Sequence, residues 1–228
     1  MTTGLTPSAQ AMAIASAAVT TPVMFVVPTD NEVEVMTSDT RFFYAAIGDL
    51  SDVELSRAVM PFPSLEVDPY RAITPHLDVA SARAKVLSSL AQGSIRIVIA
   101  SAAALLPRVA SPQRILQATR DIVLGDTLAP NDLGALLADA GFVPEDPVDE
   151  HGEFCLRGGV VDFFPAGEVY PIRVEFLDDL VESLRQFDPG TQRSVKMVDQ
   201  VAVVPLREYF ESVSEDLNEG WAGGLDST

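Results

Sequence analysis

Two arginines offer the clearest chemistry in this chain. Arg157 and Arg173 lie in residues 152–194, where short runs alternate apolar and polar residues and are separated by glycine and proline turns. This alternation predicts an antiparallel meander of strands. On a sheet with one packed face, an arginine on the open face presents a planar pair of donors to a partner's carboxylate. The meander is therefore where we look first for function.

An intramolecular ion pair is the alternative role for both arginines. Asp162, Glu175, Asp178 and Asp179 are all close in sequence, and the residues alone favour such a pair over a binding site. The neighbouring Asp178 and Asp179 also resemble paired catalytic or metal-binding carboxylates. A turn between two strands is the favoured interpretation, because aspartate tolerates turn geometry.

The N-terminal stretch 4–11 has the length of a phosphate-binding loop, G-x-x-x-x-G-K-[ST]. In that loop, glycine amides surround the phosphates, the lysine neutralises their charge and the hydroxyl holds magnesium. The degenerate version here comprises Gly4, Ser8, Gln10 and Ala11, with Gln10 and Ala11 at the lysine and hydroxyl positions. We therefore predict a helix start without a ligand, and no nucleotide cofactor.

The cysteine and the histidines predict no catalytic or metal site. Cys155 is the only cysteine, and His151 is one of two histidines. Together they cannot supply the usual zinc ligands, and Cys155 is better explained as a small buried residue than as a nucleophile. A single cysteine fits a reducing compartment. Since no membrane span or signal peptide is visible either, we expect a cytoplasmic protein.

Length and composition predict a folded protein with an acidic surface. The chain has 228 residues, of which 47% are apolar, which is enough for one large domain or two modest ones. Fifteen lysines and arginines against 33 acidic residues give a formal charge of −18. Binding along nucleic-acid phosphates needs a positive face, so we expect no direct binding of duplex DNA.

The first part of the chain alternates helices and buried strands. The predicted elements are a helix over 8–19, a strand over 23–28 covered on both faces, a helix over 30–36 capped by Asp30, a helix over 78–92, a strand over 95–101 and a helical turn over 102–109. Strands that alternate with helices in this way indicate a parallel α/β layer.

The composition changes near residue 118, where half-exposed strands replace buried ones. We predict an open strand in 114–126, a helix over 130–140, the meander, and a last strand over 201–205. This second region is α+β and dominated by antiparallel strands. The acidic, glycine-containing tail 211–228 has no pattern strong enough to fold alone.

Several long motifs resemble the N-terminal, UvrB-like module of bacterial transcription-repair coupling factors. The motifs are PSLEVDPYRAITPHLDVASARAKVLSSL, GSIRIVIASAAALLPRV, GEFCLRGGVVDFFPAG, PIRVEFLDDLVESLRQFDPGTQRS and VVPLREY. The resemblance covers about residues 4–210. Its irregular placement of glycine, proline and arginine is far more specific than a hydrophobic pattern.

The excision-repair protein UvrB is the close alternative. UvrB-type proteins keep an intact phosphate loop, whereas Gln10 and Ala11 lack its chemistry. They also carry a tyrosine-rich insertion that forms a DNA-clamping hairpin, and the passage 70–78 is too short to hold one. The coupling factor is therefore the preferred relative.

The resemblance implies a fold and a division into domains. Residues 1–118 would form a degenerate P-loop NTPase-like (RecA-like) parallel-sheet domain that no longer binds nucleotide. Residues 119–205 would form an inserted antiparallel-strand α+β domain that contacts UvrA. Residues 206–228 would begin an incomplete return to the first domain.

The resemblance also implies the contact residues for UvrA. The family uses an arginine in R-G-x-x-D, which is Arg157 here, and an arginine ahead of the E/D-F-x-D-D motif, which is Arg173. A third family contact is aromatic, and this chain has Leu177 there. Leucine keeps apolar area but lacks the ring, so this contact departs from the family pattern.

The resemblance finally implies what the chain does not do alone. Full-length members are ATP-dependent DNA translocases that link stalled RNA polymerase to nucleotide excision repair. Their motor, with its ATP and magnesium, and their contacts with RNA polymerase and DNA belong to other domains. We expect a non-catalytic, monomeric module that recruits UvrA and has no catalytic residues, no metal and no membrane partner.

Overall fold

A computed structural model describes residues 4–65 and 75–208. The first region holds, in chain order, α1 (Pro7–Ala18), β1 (Val23–Val27), α2 (Asp30–Gly48), α3 (Asp52–Ala58), β2 (Val59–Phe62), α4 (Leu77–Ala91), β3 (Ile97–Ser101), a 3₁₀ turn (Ala103–Leu105) and α5 (Pro112–Ala118). The predicted helices at 8–19 and 78–92, the strand at 95–101 and the turn after it are confirmed.

The three strands of the first region form one parallel sheet in the order β1-β3-β2. β3 is central and entirely buried, as expected for a strand between two layers. Ile97 and Ile99 pack with α1 and α2 on one face, whereas Val98 and Ala100 pack with α4 on the other. The predicted parallel α/β layer is confirmed.

Strand β1 corrects the prediction that it is covered on both faces. It lies at the edge of the sheet, and Met24 and Val26 are exposed while Val23, Phe25 and Val27 turn toward the core side. A continuous apolar run cannot distinguish an edge strand from a central one, because both have the same composition.

Helix α2 corrects two predictions. It begins after Thr29, not at a cap formed by Asp30, because Glu32 accepts from the backbone N–H of Thr29 at 3.1 Å in a capping box. It also runs to Gly48 and not to Met36, since no glycine or proline interrupts it before that point. The helix ends at Asp49, whose φ of 50° is left-handed.

Helix α5 also differs from the prediction of an open strand in 114–126. Ser111 caps it by accepting from Arg114 N–H at 3.4 Å, and Pro112 occupies the first turn. Only Arg120–Val123 of the predicted stretch forms a strand. The capping residues decide the local structure, and the alternating pattern does not.

The second region is built on strands. It holds β4 (Arg120–Val123), α6 (Pro130–Asp139), β5 (Val143–Pro144), β6 (Glu153–Arg157), β7 (Val160–Phe163), β8 (Ile172–Leu177), β9 (Leu180–Phe187), β10 (Ser194–Met197) and β11 (Gln200–Val203). A six-stranded sheet has the order β10-β9-β8-β7-β6-β5, and β11 pairs with β4. All pairs are antiparallel except β5 with β6, so the predicted meander is confirmed.

One face of the six-stranded sheet is the core of this region. Val161, Phe163, Ile172, Val174 and Leu184 are fully buried there. Residues of α6 and of the β4–β11 pair complete the same cluster. Because side chains alternate along a strand, the residues between them point to the opposite, outer face.

The end of the second region returns to the first beside the residues that lead into α5. The N–H of Ala110 donates to the carbonyl of Glu208 at 2.9 Å. The Glu208 carboxylate pairs with both Nε and Nη2 of Arg83, a fully buried residue of α4. Arg83 also donates to the carbonyl of Pro63 at 2.7 Å and lies over the Phe62 ring.

Some predictions fall outside the described residues. These are the tail 211–228, most of the proposed return segment 206–228, and most of the passage 70–78. The domain limits at 118 and 205 stay predictions. In ranges 4–65 and 75–208, no helix combines the length and apolarity needed to cross a membrane.

Candidate recognition surface

The outer face of the meander brings together both predicted arginines. Gly158 and Gly159 form a two-residue turn between β6 and β7, so that Arg157 pairs with Val160. Gly158 has a φ of 59°, which glycine adopts without strain. The next pairing places Asp162 of β7 opposite Arg173 of β8. The two arginines thus lie on strands that flank β7.

Asp162 holds Arg173 in a bidentate ion pair. Arg173 Nε and Nη2 each donate to a different carboxylate oxygen of Asp162 at 2.7 Å. The Asp162 side chain is 2% exposed and that of Arg173 is 22% exposed. The hydrogen bond to Asp162 is the main reason that the pKa of Arg173 lies above its usual range. The guanidinium also stacks on Phe187, 4.7 Å from the ring centre.

Arg157 is the more accessible of the two arginines. Its side chain is 50% exposed. Its Nη2 lies 3.1 Å from Asp146 Oδ1 and 3.6 Å from Asp162 Oδ2. Its Nε donates to Cys155 Sγ at 3.3 Å, and this hydrogen bond is the main cause that raises the Arg157 pKa. Both arginines are therefore in the intramolecular ion pairs that the sequence left as an alternative, and one buried carboxylate serves both.

Leu177 extends the same face to the end of β8. It lies two and four residues beyond Glu175 and Arg173, so strand alternation places it on their side of the sheet. Leu177 is 59% exposed. Asp178 follows with a φ of 54°, and Asp178 and Asp179 form the turn into β9. The turn predicted for these two aspartates is confirmed.

A second ion pair on this face was not predicted. Glu175 accepts from Arg185 Nη2 and from Ser183 Oγ, the latter at 2.8 Å. Glu175 pairs directly with Ser183 across β8 and β9. The alternation of polar residues along β8 and β9 indicates that these side chains share one face. Only the strand register shows that Glu175 lies beside Ser183 and Arg185. This pair separates Arg173 from Leu177 along β8.

A small apolar cluster supports one end of the outer face. Val148, Phe164 and Phe187 are buried there, and Cys155 packs against them. Cys155 itself is half-buried and accepts the hydrogen bond from Arg157. Its predicted packing role fits this position. The cluster gives the two arginines a rigid base, because Arg173 stacks on one of its rings.

The stretch that resembles a degenerate phosphate loop in sequence is the start of α1. Thr6 caps the helix by accepting from Ala9 N–H at 3.4 Å. Gln10 Nε2 donates back to the Leu5 carbonyl at 3.2 Å, and Ser8 Oγ donates to Asp39 at 3.4 Å. Ala11, at the position of the magnesium-binding hydroxyl, is fully buried in the core of the parallel layer.

Comparison with known proteins identifies the second region. Residues 121–209 match the family described as the UvrB interaction domain. This range contains Arg157, Asp162, Arg173 and Leu177, and with them the whole meander.

Relatives cover much of the chain. The transcription-repair-coupling factor of Haemophilus influenzae is 33% identical over 175 residues, which are 77% of this chain and 15% of that protein. The Escherichia coli protein of the same name is 34% identical over 152 residues, 66% of this chain and 13% of its own length. The Staphylococcus aureus protein is 28% identical over the whole chain and 19% of its own length.

The chain spans less than a fifth of the length of these relatives, since the largest of the three shares is 19%. Their common name agrees with the coupling factor, and not UvrB, as the relative preferred from the sequence. The chain belongs to the transcription-repair-coupling factor family, in which it corresponds to the N-terminal module that carries the UvrB interaction domain.

Proposed function

We propose that this chain recruits UvrA through the outer face of the meander, with Arg157, Arg173 and Leu177 as contacts. The family resemblance supplies the partner, and the UvrB interaction domain match covers all three residues. In this proposal the chain has no catalytic role. It links a transcription-repair-coupling factor, and through it a stalled RNA polymerase, to nucleotide excision repair.

The observation that carries the proposal is the sharing of one buried carboxylate by two arginines. Asp162 is held below the outer face and fixes Arg173 at 2.7 Å, while Arg157 lies 3.6 Å away. Arg157 has a closer partner in the exposed Asp146, at 3.1 Å, so a partner's carboxylate that displaces Asp146 would meet two guanidinium groups near the same buried carboxylate. Such a spot complements an acidic patch on a partner.

The two arginines would contribute to this complex in different ways, because their existing ion pairs differ in exposure. Arg173 is fixed by Asp162 and by stacking on Phe187, so it loses little side-chain entropy on binding. Arg157 pairs with Asp146, whose side chain is 57% exposed. A carboxylate of the partner can replace this exposed pair at small cost, because exposed ion pairs contribute only about 0–1 kcal/mol.

Calorimetry with purified UvrA tests the proposal. We expect the Arg157→Ala/Arg173→Ala double variant to lose about 2–5 kcal/mol of binding free energy, the range for truncation of a paired interfacial charge. The matched control is Arg120→Ala, an exposed arginine of β4 outside the meander. Equal affinity of wild type and double variant for UvrA would show that the contact surface is elsewhere.

We further propose that the first region is a degenerate P-loop NTPase-like domain that binds no nucleotide. Gln10 and Ala11 stand where the loop needs a lysine and a hydroxyl, and Ala11 is in the core. In full-length coupling factors, the ATP-driven DNA translocase activity then belongs to domains outside this chain. Saturable ATP binding that disappears in Gln10→Ala would contradict this proposal.

A further inference from the structure

A cavity of about 490 Å³ lies between the two regions, away from the outer face of the meander. Arg41 of α2, Pro61 of β2 and Lys85 of α4 line it from the first region. His151 and Gly167 line it from the second. Its volume is in the range of small-molecule sites, which are about 300–1,000 Å³.

The cations of this cavity have no carboxylate partner within ion-pair distance in the described ranges 4–65 and 75–208. Arg41 directs Nε and Nη2 to the carbonyl of Val59, at 3.1 and 2.8 Å. Lys85 Nζ donates to the carbonyl of Gly167 at 2.8 Å. Both side chains keep further N–H groups that these hydrogen bonds do not use.

The positive charges are close enough to oppose one another. Burial is the main cause that lowers the pKa of Lys85, and the charges of Arg41 and Arg57 lower it further, while Glu168 raises it. Burial also lowers the pKa of Arg41. The charge of Glu168 offsets the burial of Lys85 only in part, because the Lys85 pKa stays below its usual range. An anion beside Lys85 and Arg41 would therefore relieve the remaining cost of burying both charges.

The other polar groups of the cavity fit an acceptor-rich ligand. Ser81 is 3% exposed, and its Oγ accepts from Gly167 N–H at 3.3 Å, which leaves its hydroxyl hydrogen to donate. Asp78 is the one carboxylate of the lining. It is directed to the two histidines, with its oxygens 3.5 Å from His151 Nδ1 and 3.6 Å from His76 Nδ1.

We propose that this cavity binds a phosphate group, held by Arg41, Lys85 and Ser81. Arg41 on α2 and, one helical turn apart on α4, Ser81 and Lys85 supply three donors. Three donors match an anion with three or more oxygens better than the two oxygens of a carboxylate. The ligand is either inorganic phosphate or the phosphomonoester of a small metabolite. The site differs from the degenerate phosphate loop, which lies at the start of α1.

Thermal unfolding in increasing sodium phosphate, at constant ionic strength and pH 7, tests the site. We expect a saturable rise in Tm for the wild type. The apparent affinity should fall about tenfold or more in Lys85→Gln and in Arg41→Gln, because each removes a charge-assisted contact. The matched control is Lys196→Gln, which removes the same charge from β10 and should behave as wild type.

Ribose 5-phosphate in a parallel titration separates the two sources. If ribose 5-phosphate binds more tightly than inorganic phosphate, the ligand is a phosphomonoester. If it binds more weakly, the ligand is inorganic phosphate. Both results agree with a phosphate site. The proposal is overturned if all variants respond equally to phosphate, or if no saturation occurs. In the wild type alone, ¹H–¹⁵N spectra must show phosphate-dependent shifts of the Gly167 amide, and unchanged Gly167 resonances would also overturn it.

Discussion

Asp162 and Arg173 are joined across β7 and β8 by two hydrogen bonds of 2.7 Å, and the carboxylate is almost completely buried. Such a pair organises the surface above it more than it stabilises the fold, since its formation also removes two charges from water. Removal of one charge of the pair should nevertheless destabilise the fold, because the other charge then stays in place without its partner.

We therefore expect Asp162→Asn to lower the free energy of unfolding by about 2–3 kcal/mol. This is below the roughly 3–5 kcal/mol typical of a fully buried pair, since Arg173 keeps some access to water. Urea denaturation measures it. Glu175→Gln is the control, because the Glu175–Arg185 pair is more exposed and should cost only about 1 kcal/mol or less. Equal losses in both variants would contradict the special role of Asp162.

An aromatic side chain at position 177 should strengthen binding to UvrA. We expect Leu177→Phe to bind UvrA more tightly than wild type by about 0.5–1.5 kcal/mol, the gain for an added aromatic contact, and Leu177→Asp to bind more weakly. Leu177 is exposed, so neither change should disturb folding. Calorimetry with UvrA measures both, with Val169→Asp as a control at another exposed apolar position of the second region. An unaltered affinity in Leu177→Asp would remove this residue from the contact surface.

A threonine at position 11, where a phosphate loop has its hydroxyl residue, should lower the stability of the fold and should not create a nucleotide site. Ala11 is fully buried against the parallel sheet, so Ala11→Thr should cost about 1–3 kcal/mol by overpacking. The control is Ala13→Thr, an exposed position of α1, where only the lower helix propensity of threonine, about 0.7 kcal/mol, should count. Thermal unfolding compares the two, and similar losses would contradict the core position of Ala11.

Asp30 should make stability depend on acid pH. Burial, the largest single influence, tends to raise its pKa, but hydrogen bonds from Ser64 and Ser101 and the charge of Arg83 together outweigh it and leave the pKa below the usual 3.8. Ser64 N–H and Oγ donate at 2.8 and 2.7 Å. A depressed folded pKa stabilises the protein above the unfolded value, and this contribution is lost as pH falls through 3.8 and below.

Asp30→Asn should therefore be less stable than wild type at pH 7, and the difference should shrink as pH falls below about 4. Chemical denaturation at several pH values from 7 to 3 measures this. Asp121→Asn on β4 serves as the exposed control. A difference between Asp30→Asn and wild type that stays constant from pH 7 to pH 3 would show that the Asp30 charge does not stabilise the fold.

Much of the fold was predictable because local signals and tertiary structure agree. β3 is buried on both faces, and its sequence is apolar from Ile97 to Ala100. The meander follows from alternation and glycine turns. The predictions failed at α5, where Ser111 and Pro112 were stronger signals than the alternation that follows, and at β1, where position at the sheet edge leaves no trace in composition.

The candidate surface was predictable in its arginines but not in its centre. The family motifs mark Arg157 and Arg173, whereas in the sequence Asp162 is one of several acids close to them. Its role depends on register, which sets Asp162 opposite Arg173 and two residue pairs from the Arg157–Val160 pair. The two-residue turn at Gly158 and Gly159 was the signal that could have fixed this register from the sequence.

The hydrogen bond between Ala110 and Glu208 holds the two ends of residues 111–207 next to each other. Ala110 and Glu208 are in direct backbone contact. The Glu208 side chain is in turn held by Arg83 of α4. A linker of a few residues could close the gap between Ala110 and Glu208. Residues 111–207 therefore start and finish at neighbouring positions on the parallel layer, and α5, the first helix among them, stays packed on that layer through Ile115.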